Sequence, residues 1–180
     1  RRQATGVVRA QQACPAEPLL QLTLYQCSLK ADKFEWVLQK CSELGVSRFV
    51  PVISERSIVR PAAALLKKYD RWQEILREAA EQCGRGKIPD LAEPLSFGEA
   101  VRSAKGERLL AWEEKRSGDD ETGGLSASQI SQLPNPQPLN LLIGPEGGIT
   151  SGEAELAQSL GWRAVSLGKR ILRAETAAVA

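Results

Sequence analysis

The feature that most constrains this fold is the stretch NLLIGPEGGIT at residues 140–150, in which an apolar run stops at a glycine-rich turn. The apolar residues 141–143 are bounded by turn residues and predict a strand buried on both faces. Thr150, Ser151 and the acidic Glu153 then predict the start of a helix. Glycines between the two elements permit backbone angles that a Cβ forbids and let a ligand lie against the main chain. The stretch therefore predicts a strand-to-helix turn that a flat or anionic ligand can approach.

Strand and helix patterns alternate along most of the chain. Alternating and strand-forming residues predict strands at 19–27, 46–53, near Ile88, at 108–112, at 141–143 and at 163–168. Helical spacing predicts helices at 30–45, 61–84, 97–104, 151–160 and within 171–180. Such alternation requires crossover connections, so the predicted fold class is α/β, with a mainly parallel sheet and flanking helices. The polar stretch 113–124 predicts a surface loop.

Two of these helices have a clear apolar face. The helix at 30–45 ends on Gly45, a natural C-terminal cap, and the helix at 61–84 begins at Pro61. The predicted buried face of the first contains Phe34, Val37, Leu38, Cys41 and Leu44, and that of the second contains Leu65, Tyr69, Trp72, Leu76, Ala79 and Cys83.

Composition limits the class of protein. A chain of 180 residues that is 42% hydrophobic predicts one main domain. The net charge of +2 means that nucleic-acid affinity must come from local basic clusters. Because the four cysteines are scattered and the chain has no histidine, the sequence does not predict a zinc site. The scattered cysteines favour a reducing, intracellular compartment. No apolar segment approaches the ~20 residues that span a bilayer, so we expect a soluble, cytoplasmic protein.

Two loops, at residues 143–150 and 166–176, are predicted at the carboxyl ends of strands, where open α/β sheets bind ligands. Each loop alone is explained as well by a tight turn or a helix cap as by a ligand site, and the two loops together favour one shared ligand site. The Walker pattern fails, because Arg163 occupies its first glycine position and Arg170 follows the lysine. The dinucleotide pattern also fails, because Gly144-Pro145-Glu146 lacks the middle glycine.

Four motifs carry a resemblance to a known family. The segments QKCSELGV, PVISERSIVR, LLIGPEGGIT and SLGKRILRAETAA occur in that order over residues 39–178. Together they resemble the 16S ribosomal RNA uracil-N3 methyltransferase family of the SPOUT superfamily. The resemblance implies an S-adenosylmethionine-dependent methyltransferase with a C-terminal trefoil knot, which pairs through the knot as a homodimer.

The resemblance also implies a domain organisation. Residues 1–18 are expected to be the remnant of an N-terminal PUA-like RNA-binding barrel and its linker, and 19–180 the SPOUT methyltransferase domain. We expect a fragment whose final helix is truncated. The implied partner is ribosomal RNA or the assembled small subunit, with no membrane and no metal.

In the family, the glycine turn and the later loop surround the cofactor. The matching cofactor positions are Ile143, Gly144, Glu146, Gly147, Gly148, Leu167, Gly168, Arg170, Ile171, Leu172 and Arg173. The sequence departs from the family at Lys169, where proline is usual, and at Ala174, where threonine is common. Both departures affect the rigidity of the later loop.

Methylation of uracil N3 requires that the nitrogen lose a proton, so the resemblance directs attention to charged residues at the site. Arg173 or Arg170 is expected to stabilise the uracil oxygens, and Glu175 to orient that arginine or accept the proton. A structural alternative for Glu175 is capping of the last helix.

Basic residues in two further loops are expected to contact RNA, because forked guanidinium groups suit phosphates and unpaired bases. These residues are Arg56, Arg60, Arg85 and Lys87, and the alternative is an ordinary solvated surface. Two other functions stay open: a SPOUT enzyme that methylates ribose 2′-hydroxyls, and a non-catalytic RNA-binding module.

Overall fold

The computed structural model describes residues 5–12, 14–30, 32–59, 61–112, 138–168 and 170–180. The loop predicted at 113–124 and the predicted RNA contact Arg60 lie outside the described residues. The strands are β1 Leu22–Cys27, β2 Arg48–Ile53, β3 Asp90–Leu91, β4 Leu95–Ser96, β5 Glu107–Ala111, β6 Leu139–Ile143 and β7 Arg163–Val165. The helices are α1 Lys33–Glu43, α2 Ala62–Leu66, α3 Tyr69–Cys83, α4 Phe97–Ser103, α5 Ser151–Ser159 and α6 Ala174–Val179.

Within the described residues, the strands form one sheet in the order β3-β2-β1-β6-β5-β7, with β4 also paired to β2. Every described pairing is parallel. The first strand therefore lies in the middle, between β2 and β6, and the register of its pairing with β6 starts at Leu22 opposite Leu139. The α/β prediction with a mainly parallel sheet is confirmed. The trefoil knot stays a prediction, because strand order does not describe threading.

Helices cover both faces of the sheet. On one face, the apolar side chains of α1 and α3 pack against Leu24 and Phe49, with α6 beside them. On the other face, α4 and α5 pack against Tyr25 and Val50. The central strand β6 has four of its five residues buried, as the apolar run predicted. Burial on both faces explains why β6 lacks a simple alternation of apolar and polar residues.

The helix predicted at 61–84 is two helices. α2 ends at Leu66 and α3 begins at Tyr69, with Lys67 and Lys68 forming a turn between them. Leu44 was also placed wrongly, because α1 ends at Glu43 and the Leu44 side chain is 66% exposed. Helical spacing predicts which side chains are buried only within the helix itself, and Leu44 lies beyond its end.

The helix after the glycine turn begins as its sequence predicts. The Thr150 hydroxyl accepts a hydrogen bond from the backbone N–H of Glu153, whose carboxylate accepts one from the backbone N–H of Thr150. This reciprocal capping box satisfies two amide groups that the helix itself leaves free. It fixes the direction in which the chain leaves the turn, and so fixes the shape of the turn.

Candidate functional site

A cavity of about 610 Å³ opens at the carboxyl edge of the sheet. Its walls come from the ends of β5 and β6, the glycine turn, the loop after β7 and the first turns of α1 and α6. The lining residues are Lys33, Arg56, Ala111, Trp112, Ile143, Gly144, Pro145, Glu146, Gly148, Ile149, Val165, Leu167, Ile171, Leu172, Arg173, Ala174, Glu175 and Ala177. The two loops that the sequence placed at strand ends therefore meet in one cavity.

The glycine turn is shaped by its backbone. Gly148 has a φ of +74°, a left-handed conformation that side chains disfavour, and its N–H donates to the Pro145 carbonyl at 2.9 Å. At Gly147 a Cβ would stand 3.0 Å from the Cβ of Arg56. The main chain of the turn thus approaches the loop after β2 closely, and the Arg56 guanidinium donates to the Gly147 carbonyl at 3.1 Å.

A lysine joins two carboxylates at the cavity wall. The Nζ of Lys33 lies 3.1 Å from Oε1 of Glu175 and 3.6 Å from Oε1 of Glu146. Glu146 also accepts a hydrogen bond of 3.1 Å from the backbone N–H of Lys30. Oε2 of Glu175 is shielded from solvent and has no hydrogen-bond partner among the described residues. One carboxylate oxygen thus remains for a donor from a ligand.

The environment of Glu175 favours its charged form. Desolvation pushes the pKa of this carboxyl up, but its own backbone N–H, the Lys33 ammonium and the nearby Arg173 together hold the pKa below the ordinary value. Glu175 is therefore ionised at neutral pH. A carboxylate in this state is an effective hydrogen-bond acceptor and a weak general base.

Comparison with known proteins was made on sequence and on structure. The family model described as RNA methyltransferase domain matches residues 15–180. This chain belongs to the RNA methyltransferase domain family. The resemblance carried by the four motifs is confirmed at the level of this family.

Relatives of this methyltransferase domain carry related names. The ribosomal RNA small subunit methyltransferase E of Synechocystis is 39% identical over 88% of this chain and 50% of its own length. The methyltransferase E structure from Neisseria gonorrhoeae, bound to S-adenosyl methionine, shares 36% identity over 89% of this chain and 63% of its own, with a TM-score of 0.76. A putative methyltransferase from Legionella pneumophila, also with the bound cofactor, shares 35% identity over 91% of this chain and 64% of its own, with a TM-score of 0.78.

The methyltransferase domain spans about half the length of the Synechocystis relative and just under two thirds of the two structures. Among the residues that the structure describes, none of the helices has the length and hydrophobicity of a membrane span. Within the same residues, no three His, Cys, Asp or Glu side chains group as metal ligands do.

The predicted cofactor positions of the methyltransferase domain gather at the cavity. Its walls include Ile143, Gly144, Glu146, Gly148, Leu167, Ile171, Leu172 and Arg173. Gly147, Gly168 and Arg170 belong to the same two loops but do not line the wall. Of the predicted catalytic residues, Arg173 and Glu175 line the cavity. Arg170 is exposed and lies in the loop after β7, but it is not a lining residue.

The residues predicted to contact RNA lie in different environments in the structure. Arg56 is exposed and lines the cavity. Arg85 does not fit the prediction, because its side chain is only 4% exposed and its guanidinium binds Glu17 and the carbonyls of Ser42 and Val46. Lys87 is exposed at the same corner, away from the cavity-lining residues.

Lys33 and Trp112 are among the lining residues that were not predicted as site residues from the sequence. Lys33 begins α1 directly after the loop that follows β1, and Trp112 follows the end of β5. Both stand just beyond strand ends that point to the same edge of a parallel sheet. That position is the signal by which sequence reasoning could have found them.

Proposed function

We propose that this protein transfers a methyl group from S-adenosylmethionine to N3 of a uridine in small-subunit ribosomal RNA. The observation that carries the proposal is that the glycine turn and the loop after β7 line the same cavity at the carboxyl edge of the sheet. Family membership and the names of the relatives support the reaction class and the type of RNA.

The cavity suits S-adenosylmethionine in size and chemistry. A volume of about 610 Å³ lies within the range of small-molecule sites. Ile143, Val165 and Leu172 provide apolar walls, and the bare backbone of the glycine turn provides main-chain donors and acceptors for a purine edge. The cofactor supplies a methyl group on a sulfonium, and in-line displacement of that group needs no metal.

The charged residues of the wall suit the nucleophile. Uracil N3 carries a proton at neutral pH, and this proton must leave as the N–CH3 bond forms and the S–CH3 bond breaks. Arg173, at the N-cap of α6, is proposed to stabilise the negative charge that develops on the uracil oxygens. Oε2 of Glu175, which has no hydrogen-bond partner among the described residues, is proposed to accept the proton from N3 and pass it to water, so that the electron pair of N3 is free to take the methyl group.

RNA is proposed to approach over the exposed guanidinium groups next to the cavity. Arg56 lies on the cavity wall, and Arg170 is exposed on the loop that forms another wall. Because a base pair hides N3, the target uridine must be unpaired or displaced from its stack. The homodimer and the knot remain parts of this proposal, as does a location in the compartment that holds the ribosomes.

Calorimetric titration with S-adenosylmethionine tests the proposed cofactor site. We expect binding by the protein, no comparable binding of ATP, and loss of S-adenosylmethionine binding in Arg173→Ala. Arg163→Ala is the matched control, because Arg163 pairs with Glu107 and does not line the cavity. A folded protein that binds neither ligand would refute the proposal.

Nucleoside mapping of small-subunit RNA after reaction tests the proposed product. N3-methyluridine supports the reaction above, and a methylated ribose identifies the enzyme as a 2′-O-methyltransferase instead. Binding of cofactor and RNA without any methylated product indicates a non-catalytic RNA-binding module.

A further inference from the structure

We propose that Lys33 is a positioning residue for methyl transfer, which fixes the Glu175 carboxylate against the glycine turn so that one oxygen is held by the protein and the other is left for the ligand. This inference rests on the proposed function. It assigns a task to the first residue of α1, a helix that packs against α6 and contributes Lys33 to the cavity wall.

The first argument is geometric. Lys33 Nζ contacts Oε1 of Glu175 at 3.1 Å, while Oε2 of the same carboxylate is buried and has no partner among the described residues. A carboxylate that is anchored through one oxygen and open at the other has a defined direction for accepting a hydrogen bond. Without the ammonium, the side chain can turn and satisfy either oxygen with water.

The second argument concerns what else holds each carboxylate. Glu146 keeps a backbone donor, the N–H of Lys30 at 3.1 Å, when the lysine side chain is removed. The described residues place no side-chain cation other than Lys33 within ion-pair distance of Glu175. Glu175 also keeps its own backbone N–H and the nearby charge of Arg173. Loss of Lys33 therefore removes the side-chain ion pair of Glu175 among the described residues, whereas Glu146 stays tied to the backbone of Lys30.

The third argument is electrostatic. The charged side chains that line the cavity are Lys33, Arg56, Arg173, Glu146 and Glu175. Lys33 is the cation that contacts both carboxylates, so it screens their mutual repulsion. Its ammonium also helps to hold the pKa of Glu175 low, and its removal shifts that pKa upward.

The test compares steady-state methylation by the protein with that of three variants. Lys33→Met is expected to lower kcat/KM about 10-fold, the loss typical of a broken contact between coupled residues. Lys33→Arg is expected to restore most of the rate, because the cation is kept. Lys40→Met is the matched control: Lys40 lies on the same helix, pairs with Glu43, and has a side chain 37% exposed against 36% for Lys33.

The pH profile separates positioning from simple stabilisation. In Lys33→Met the pKa of Glu175 rises, so the acidic limb of kcat/KM is expected to move to higher pH, whereas lower stability alone leaves the limb in place. The 10-fold loss is also expected to vanish when Lys33→Met is made in a Glu175→Gln background, because that carboxylate no longer needs to be held ionised.

Three results overturn the inference. They are a wild-type rate in Lys33→Met, an acidic limb that does not move, and an equal loss in the Glu175→Gln background. Each of these leaves the proposed function standing, because the wild-type protein still methylates RNA. A wild-type protein that binds no S-adenosylmethionine and forms no product overturns both proposals together.

Discussion

Replacing Arg85 with methionine is expected to weaken the fold strongly and leave RNA affinity unchanged. The Arg85 guanidinium donates to the Val46 carbonyl at 2.7 Å, to the Ser42 carbonyl at 3.1 Å and to Oε2 of Glu17 at 3.0 Å. It thereby ties the segment before β1 to the end of α1 and the start of β2. Methionine keeps the length of the apolar stem and removes every donor.

The size of the stability loss in Arg85→Met follows from the burial of the Arg85 and Glu17 ion pair. Removing one partner of a buried ion pair costs about 3–5 kcal/mol, because the other charge is left uncompensated. The Glu17 side chain is 20% exposed and keeps two backbone donors, the N–H groups of Gly86 and Lys87, each at 3.0 Å. Partial exposure places the expected loss at the lower end, about 3 kcal/mol. For a chain of this size that corresponds to a fall in Tm of about 6–12 °C.

Urea unfolding followed by circular dichroism measures the change in the free energy of unfolding. Glu17→Gln is the matched variant and is expected to cost about 1 kcal/mol, since Arg85 keeps both carbonyl acceptors. A loss below about 1 kcal/mol in Arg85→Met would refute the buried-pair argument. Weakened RNA binding by a folded Arg85→Met variant would instead restore Arg85 to the RNA-binding surface.

The same pair makes stability depend on pH. The hydrogen bond from Arg85 is the main cause that lowers the pKa of Glu17, with desolvation opposing it and the Gly86 and Lys87 amides assisting. A depressed folded pKa stabilises the fold above the unfolded pKa, and this contribution is lost as pH falls through the folded value. The wild-type protein is therefore expected to lose more stability in acid than Arg85→Met does.

Two further predictions concern the glycine turn and the buried thiols. Gly147→Ala places a Cβ 3.0 Å from the Cβ of Arg56, so it is expected to lower the free energy of unfolding by about 1–3 kcal/mol and to weaken S-adenosylmethionine binding. Gly152→Ala is the control, because a Cβ there meets nothing within 4 Å. Equal affinity for S-adenosylmethionine in the two variants would contradict a close approach at the turn. Burial raises the pKa of Cys27 and of Cys41 to about 12, so few of these thiols are ionised at pH 8. Iodoacetamide is therefore expected to label the half-buried Cys14 and Cys83 of the native protein instead, which mass spectrometry of peptides would show. Rapid labelling of Cys27 would contradict its burial.

The glycine turn was predictable because its signals are local. An apolar run, glycines and the Thr150 and Glu153 pair stand within the thirteen consecutive residues 141–153, and each acts on its immediate neighbours. The alternation of strands and helices likewise gave the parallel sheet, because crossover connections follow from element order alone. Family resemblance then directed attention to residues at the cavity wall, including Arg173 and Glu175.

Long-range contacts were not predictable from such signals. The basic stretch around Arg85 and Lys87 gives no sign of which side chain points inward, because the direction of Arg85 depends on Glu17, which lies far away in sequence. The contact between Lys33 and Glu175 likewise joins α1 to α6, which lie far apart in sequence. The break between α2 and α3 occurs at Lys67 and Lys68, where the sequence contains neither glycine nor proline.

The central position of β1 has a consequence for how the chain folds. β1 pairs with β2, its neighbour in sequence, and with β6, whose residues follow more than a hundred positions later. Closing so long a loop carries an entropic cost before any contact rewards it, so pairing of β1 with β6 is expected to be a slow step. The cavity draws its walls from residues as far apart in the sequence as Lys33 and Ala177. A ligand in this cavity therefore binds only chains that have completed that step, and it stabilises the completed fold as a whole.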